Sequence, residues 1–278
     1  MVIVRRGNEE IRGLIIEFGE LARRSRVEGV RRSAQLASRL DAEELVEVLL
    51  AARETAFDAL GPQYLFGGPG PWYRWQVENV LVQLEHEDWG VQLSLLPKED
   101  TERSESEACE WGDRDQMVAE IGLWVAEFDN GGVWDGYSPG GKLAPDWGAF
   151  EEWAAETLHS LESDFTILDM GLSILVTSMQ NDVRSIRLRV EPGRITAVAS
   201  LPHDMDGQVL GSLGWCAGED GAWCAVRSTP SWQDVQELAH LVGATLRAYG
   251  LELGRVRYST ECRYSSRVHL LGLGVGRL

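Results

Sequence analysis

Three groups of residues in this chain have types and spacing that chemistry uses. They are His203-Asp204 followed by Asp206, the cysteines Cys216 and Cys224, and the run Gly67-Gly68-Pro69-Gly70. An imidazole beside carboxylates suits proton relay or cation binding. The same residues, placed after a strand pattern and before a short helical one, read first as a polar loop capping that helix. The two cysteines have no further cysteine or histidine at ligand spacing, so a tetrahedral zinc site is not expected. The glycine run lacks the following lysine and Ser/Thr of a phosphate loop, and it has no strand–loop–helix setting. Ser173 and Ser178 stand in no nucleophile elbow, and Glu85/Glu87 and Glu151/Glu152 read as solvated faces. The remaining histidines, His86, His159, His240 and His269, are scattered. These residues point to no catalytic set, no metal and no cofactor, and the chain reads as a non-enzyme.

Charge says more. The net charge is −18, carried unevenly. Residues 1–39 hold nine arginines against five acids, and residues 247–278 hold six against two, so the middle of the chain carries −26. Glu99 to Glu120 is densest, with nine acids and only Arg103 and Arg114 as bases. Such a field repels nucleic acid and favours a basic partner. No apolar run approaches the ~20 residues of a membrane helix, and Met1 to Gly7 is followed by no signal-peptide core. With four widely spaced cysteines, reduced thiols and a cytoplasmic location are expected. Eleven tryptophans read chiefly as packing residues.

The elements that must position these residues fall into two halves. A helical segment is expected over Asn8–Arg39. A second helix is capped by Asp41 and Glu44, with Leu45, Val48, Leu49, Ala52, Ala56 and Leu60 as its buried stripe. Residues 61–71 have loop composition. Val80, Val82 and Leu84 then pair with Val91, Leu93 and Leu95 in a hairpin turning near Asp88–Gly90. Pro97–Asp113 is charged and serine-bearing and is expected to be an exposed or disordered loop, with a helix over Gln116–Phe128. Residues 129–145, rich in glycine, suit a connection. Asp146 caps the next helix, and Leu172–Val176 forms a strand.

From Val183 to Gly250 the pattern is clearest. Ile186, Leu188 and Val190 alternate with Arg187, Arg189 and Glu191, the period of a half-buried strand. Pro192-Gly193 turns the chain, and Ile195, Ala197, Ala199 and Leu201 return it. A short helix over Met205–Leu213 leads to the corner Leu213-Gly214-Trp215, then to a strand at Ala222–Val226 bearing Trp223. Ser231 and Asp234 cap a helix that ends at Gly250, and further strands are expected near Arg255–Tyr258 and Val268–Leu271.

In the order of its elements and in that corner, the stretch resembles the type III secretion chaperone-like, YbjN-like superfamily of peptide-binding chaperone domains. The expected fold class is α+β. Residues 146–278 form a chaperone-like helix–antiparallel sheet–helix domain, preceded by a helix-rich α+β domain over 1–140. The resemblance implies a non-enzymatic module that binds a partner protein or peptide through its sheet face and apolar grooves, and that often forms homodimers. The candidate partner-binding residues are Arg187, Arg189, Leu213, Trp215 and Trp223; the two tryptophans serve equally as core at the strand–helix junction. An immunity or antitoxin protein, neutralising a basic toxin through the acidic middle, is the alternative. A hydrolase built on the tryptophan-rich first half has no positive sign.

Overall fold

The computed structural model describes residues 4–24, 32–87, 90–127, 141–178, 183–218, 221–263 and 267–278. The first half opens with β1 (Val4–Arg5) and α1 (Asn8–Arg24), whose Ile11, Ile15, Phe18 and Ala22 recur at helical spacing and are buried. After β2 (Arg32–Ser38) comes α2 (Ala42–Leu60), started by the reciprocal Asp41–Glu44 capping box. A meander follows: β3 (Leu65–Gly68), β4 (Trp72–Val77), β5 (Val80–Glu87) and β6 (Gly90–Pro97). Then come α3 (Lys98–Glu110), α4 (Arg114–Glu120) and β7 (Trp124–Glu127).

The second half begins with α5 (Trp147–Leu168), N-capped by Asp146, and continues through β8 (Leu172–Ser178), β9 (Ser185–Glu191) and β10 (Arg194–Ala199). Next are α6 (Gly207–Leu213), β11 (Cys216–Ala217), β12 (Trp223–Ser228) and α7 (Trp232–Ala248), the last held by the Ser231–Asp234 capping box. The chain closes with β13 (Val256–Cys262), β14 (Arg267–His269) and β15 (Gly276–Arg277).

The fold is α+β, with two mainly antiparallel sheets. The first runs β1-β2-β6-β5-β4-β3-β7-β14 and the second β11-β12-β10-β9-β8-β13-β15. Strand β14 therefore leaves the second half and pairs with β7 at the edge of the first sheet. Helices α1 and α2 cover the first sheet's apolar face, where Tyr73, Trp75, Val82, Leu84 and Leu93 are buried. Helices α5 and α7 cover one face of the second, against Ile174, Leu188 and Ala197. Helix α5 serves both sheets. Its Phe165 meets Trp124 of β7 edge to face at 5.2 Å, and its buried residues run around most of its circumference.

Several expected elements differ, each for a physical reason. The single helix over Asn8–Arg39 is instead α1 followed by strand β2, because Arg32–Ser38 finds a partner in β6. Residues 61–71 are not all loop. Gly67 and Gly68 lie in β3, where a Cβ on Gly67 would meet Trp72 at 2.5 Å and the Trp124 carbonyl at 2.6 Å. Pro97–Asp113 is not a disordered loop but contains α3, whose buried face is made of Thr101, Glu105 and Ala108. The helix over Gln116–Phe128 is shorter, α4, and ends before Gly122 at φ +113; Trp124–Glu127 then pairs with β3. The connection at 129–145 lies outside the described residues up to 140, as does the turn at 88–89.

Close packing where the halves meet gives a test. A Cβ on Gly272 would stand 2.5 Å from Leu123 Cδ2 and 2.7 Å from Thr157 Oγ1, between α5 and the chain leading into β7. Gly272→Ala is expected to cost about 1–3 kcal/mol by overpacking. In urea unfolding followed by tryptophan fluorescence and circular dichroism, both signals should shift together to a lower midpoint.

Candidate functional site

The most polar enclosed cluster lies on the far face of the first sheet, under α3. There Arg74 of β4 is 4% exposed and Glu105 of α3 is 1% exposed, and they pair at 2.8 Å. The Arg74 Nε and Nη2 both donate to Gln83 Oε1, at 2.9 and 2.8 Å, and its guanidinium lies over the Trp72 ring at 4.9 Å. Burial works most strongly against the Arg74 cation, but Glu105 and Tyr64 together offset it and hold the guanidinium above its ordinary pKa. Burial pushes the neighbouring Tyr64 phenol up to about 12, so it stays neutral. The adjoining groove, about 320 Å³, is lined by Ser33, Gln83, Glu85, Gln92 and Ser94 among others. Its Glu85 accepts from Gln83 Nε2 at 2.9 Å, Gln92 Nε2 at 3.3 Å and Ser94 Oγ at 3.5 Å. Each of these carboxylates is occupied by its own neighbours, and the hydrogen bonds to Glu85 orient no base toward a nucleophile. The cluster fastens α3 to the sheet.

A second buried carboxylate joins the halves. Asp164 of α5, 2% exposed, accepts from Trp124 Nε1 at 2.9 Å, Ser160 Oγ at 3.1 Å and the Gly70 N–H at 3.2 Å. Burial raises its carboxyl to about 6, against the opposing pull of those three donors. A Cβ on Gly68 would collide with this carboxylate, so the glycine run fits round Asp164 and the tryptophans. It cradles side chains of its own chain.

The second sheet leaves one face without a helical cover among the described residues. Strand register sets a row across it: Cys216, Cys224, Val198, Arg187, Leu175 and Ser259. A parallel row holds Val226, Thr196, Arg189, Ser173 and Glu261. Arg187 and Arg189 are exposed, Val226 is 42% exposed, and Leu175 and Val198 are half-buried. Arg187 reaches Glu261 at 3.8 Å and Ser173 Oγ at 3.4 Å, both loosely. This surface combines cationic forks, which match carboxylates, with aliphatic patches.

The candidate residues thus separate. Arg187 and Arg189 come together on the open face. Trp215 does not join them: it is 3% exposed, and its Nε1 donates to Thr245 Oγ1 of α7 at 2.8 Å, so it is core and no partner reaches it. Trp223 points to the helical side, where a Cβ on Gly207 would meet its ring at 2.8 Å and one on Gly211 at 3.5 Å. Leu213 ends α6 half-buried against the core. His203-Asp204-Asp206 resolves into local structure, with Asp204 paired to Arg184 at 2.8 Å and Asp206 capping α6 through the Gln208 N–H. Among the described residues no group of three His, Cys, Asp or Glu side chains is placed to hold a metal ion. No described helix is long and apolar enough to cross a membrane.

Sequence reading missed one exposed feature. Trp111, at the end of α3, is 84% exposed, and Glu107, Glu110, Asp113 and Asp115 around it in sequence are exposed too. The acidic run was visible, but the helices that display it were not. No protein-family model, curated protein or solved structure matches the chain.

Two outcomes follow from the buried carboxylates. Glu105→Ala strands the Arg74 cation in the interior and is expected to cost about 3–5 kcal/mol, while Arg74→Met with Glu105→Leu recovers most of it in chemical denaturation. For Asp164 the folded carboxyl lies above its ordinary value of 3.8, at about 6. Between these values the folded protein holds the proton more tightly than the unfolded chain, so the contribution is present below about pH 4 and lost as pH rises through about 6. The full loss is roughly 3 kcal/mol. Subtracting the stability–pH curve of Asp164→Asn from that of the unaltered protein should leave a fall confined to this window; a flat difference would reject the assignment.

Proposed function

We propose that the chain is a non-enzymatic, chaperone-like module that binds a partner polypeptide, and that the partner docks on the open face of the second sheet. One observation carries this reading. The helices packed on that sheet lie on its other face, and the uncovered one presents Arg187 and Arg189 beside Leu175, Val198 and Val226. Arg189 has no ion-pair partner among the described residues, in a chain of net charge −18. The fitting occupant is an extended segment carrying Asp or Glu, whose carboxylates meet the guanidinium forks while its apolar side chains cover the aliphatic patches. The resemblance to the type III secretion chaperone-like, YbjN-like superfamily, carried by roughly residues 147–250, supports the same reading.

A second reading rests on Trp111. An aromatic this exposed among exposed acids is the form of an interface anchor for a basic protein, as an immunity or antitoxin protein would need. The two readings place the partner on different surfaces. Affinity purification of the full chain from its native host, with mass spectrometry, identifies the partner. The Arg187→Glu, Arg189→Glu double variant is expected to weaken that binding at least tenfold, while Trp111→Ala leaves it unchanged. The reverse pattern assigns function to the acidic surface. Sedimentation of the isolated chain distinguishes a second copy from a different protein as the occupant.

A further inference from the structure

Cys216 and Cys224 stand directly opposite each other across β11 and β12, and we propose that they form a reversible disulfide, closed by a small-molecule disulfide such as glutathione disulfide. In the strand register Cys216 faces Cys224 and Ala217 faces Trp223, so the two thiols project from the same face of the sheet. The Gly218 N–H donates to the Ala222 carbonyl, which makes that pair a hydrogen-bonded one; alternation along the ladder makes Cys216–Cys224 hydrogen-bonded as well. Opposed Cα atoms at such a pair stand about 5.5 Å apart, within the ~4.4–6.8 Å that a disulfide spans. The Cβ atoms of such pairs lie wider than a relaxed bond prefers, so closure requires a small shift of one strand. Strand β11 is suited to give it, being two residues long and paired only with β12 among the described residues. The resulting bond is exposed and slightly strained, the kind that thiols reopen readily.

Both sulfurs are free. Cys216 is exposed and Cys224 half-buried, and neither is bonded to the two other cysteines, Cys109 and Cys262. The order of attack follows from access. The Cys216 thiolate attacks one sulfur of the small disulfide, making a mixed disulfide and releasing one small thiolate. The Cys224 thiolate then attacks Cys216 Sγ and expels the second. Two protein thiols are oxidised, one S–S bond of the reagent is reduced, and the two departing thiolates take up the two protons. The bond forms on the open face at the end of the row that holds Val198 and Arg187. It fastens the edge strand there whether or not a polypeptide docks on that face.

The test uses the full-length chain equilibrated in mixtures of glutathione and glutathione disulfide, quenched in acid, unfolded, alkylated and digested. The expected result is the loss of two of the four alkylation sites, with a peptide linking Cys216 to Cys224 and reversal by dithiothreitol. Cys216→Ser should abolish the linked peptide, and Cys109→Ser should leave it intact. Full alkylation of Cys216 and Cys224 throughout the series would overturn the proposal. So would a disulfide found only between chains, or one that joins either residue to Cys109 or Cys262. A Cys216→Ser variant that alters an exposed edge strand is expected to keep the far-ultraviolet circular dichroism of the unaltered protein, which separates loss of the bond from loss of the fold.

Discussion

Helix α5 has to be buried on more than one side because two sheets need it, and the buried Asp164 fixes where it sits between them. A lone carboxylate at 2% exposure is costly unless donors surround it, and here three are supplied by different parts of the chain. Trp124 comes from β7, Gly70 from the turn after β3, and Ser160 from one helical turn earlier on α5. Each donor aligned on the carboxylate also fixes its own segment. The edge-to-face contacts of Trp124 with Phe66 and Phe165 then close the space round it. The glycines at 67 and 68 are consequences of this arrangement, since any side chain there would displace either a tryptophan or the carboxylate.

The halves are joined by more than this cluster. Arg114 of α4 pairs with Glu156 of α5 at 2.5 Å and lies over the Trp153 ring at 4.9 Å, and the Gly272 N–H donates to the Leu123 carbonyl. Strand β14 adds backbone pairing to β7, with His269 Nε2 at 2.8 Å from Glu127. Burial lowers the His269 pKa, against the pull of Glu127, and Arg277 Nη1 stands 3.1 Å from the ring's Nδ1.

Much of this was legible from residue pattern. The capping boxes at Asp41–Glu44 and Ser231–Asp234 and the hairpin at Pro192-Gly193 are local, and local signals survive folding. What failed to show was set by distant partners. Helix α3 hides its buried face behind Thr101 and Glu105, and Arg74, on a strand thirty-one positions earlier, helps to make a glutamate there tolerable. Strand β3 looked like loop because its glycines answer to tryptophans elsewhere. A strand near Val268–Leu271 is expected and β14 lies at Arg267–His269, but its place in the first sheet depends on a crossing that no periodicity encodes. For the candidate surface, alternation placed Arg187 and Arg189 on one face correctly. The corner tryptophan gave no such sign, because Trp215 belongs to the core through a hydrogen bond to Thr245 on α7.

The open face and the sheet edges deserve to be weighed together. An exposed sheet can recruit any chain through its edges, and short or charged edge strands limit that hazard. Here the outermost strands β11 and β15 are two residues each, and Arg227 of β12 turns its Nη1 onto the neighbouring Val226 carbonyl, which takes up one acceptor of the edge that β11 leaves uncovered. The face differs. Its side chains are aliphatic and arginine together, and the arginines keep it from collapsing onto unspecific apolar surfaces while still matching carboxylates. Under the function proposed above, a partner on this face would be read through its side chains, whereas strand addition at an edge would read backbone alone.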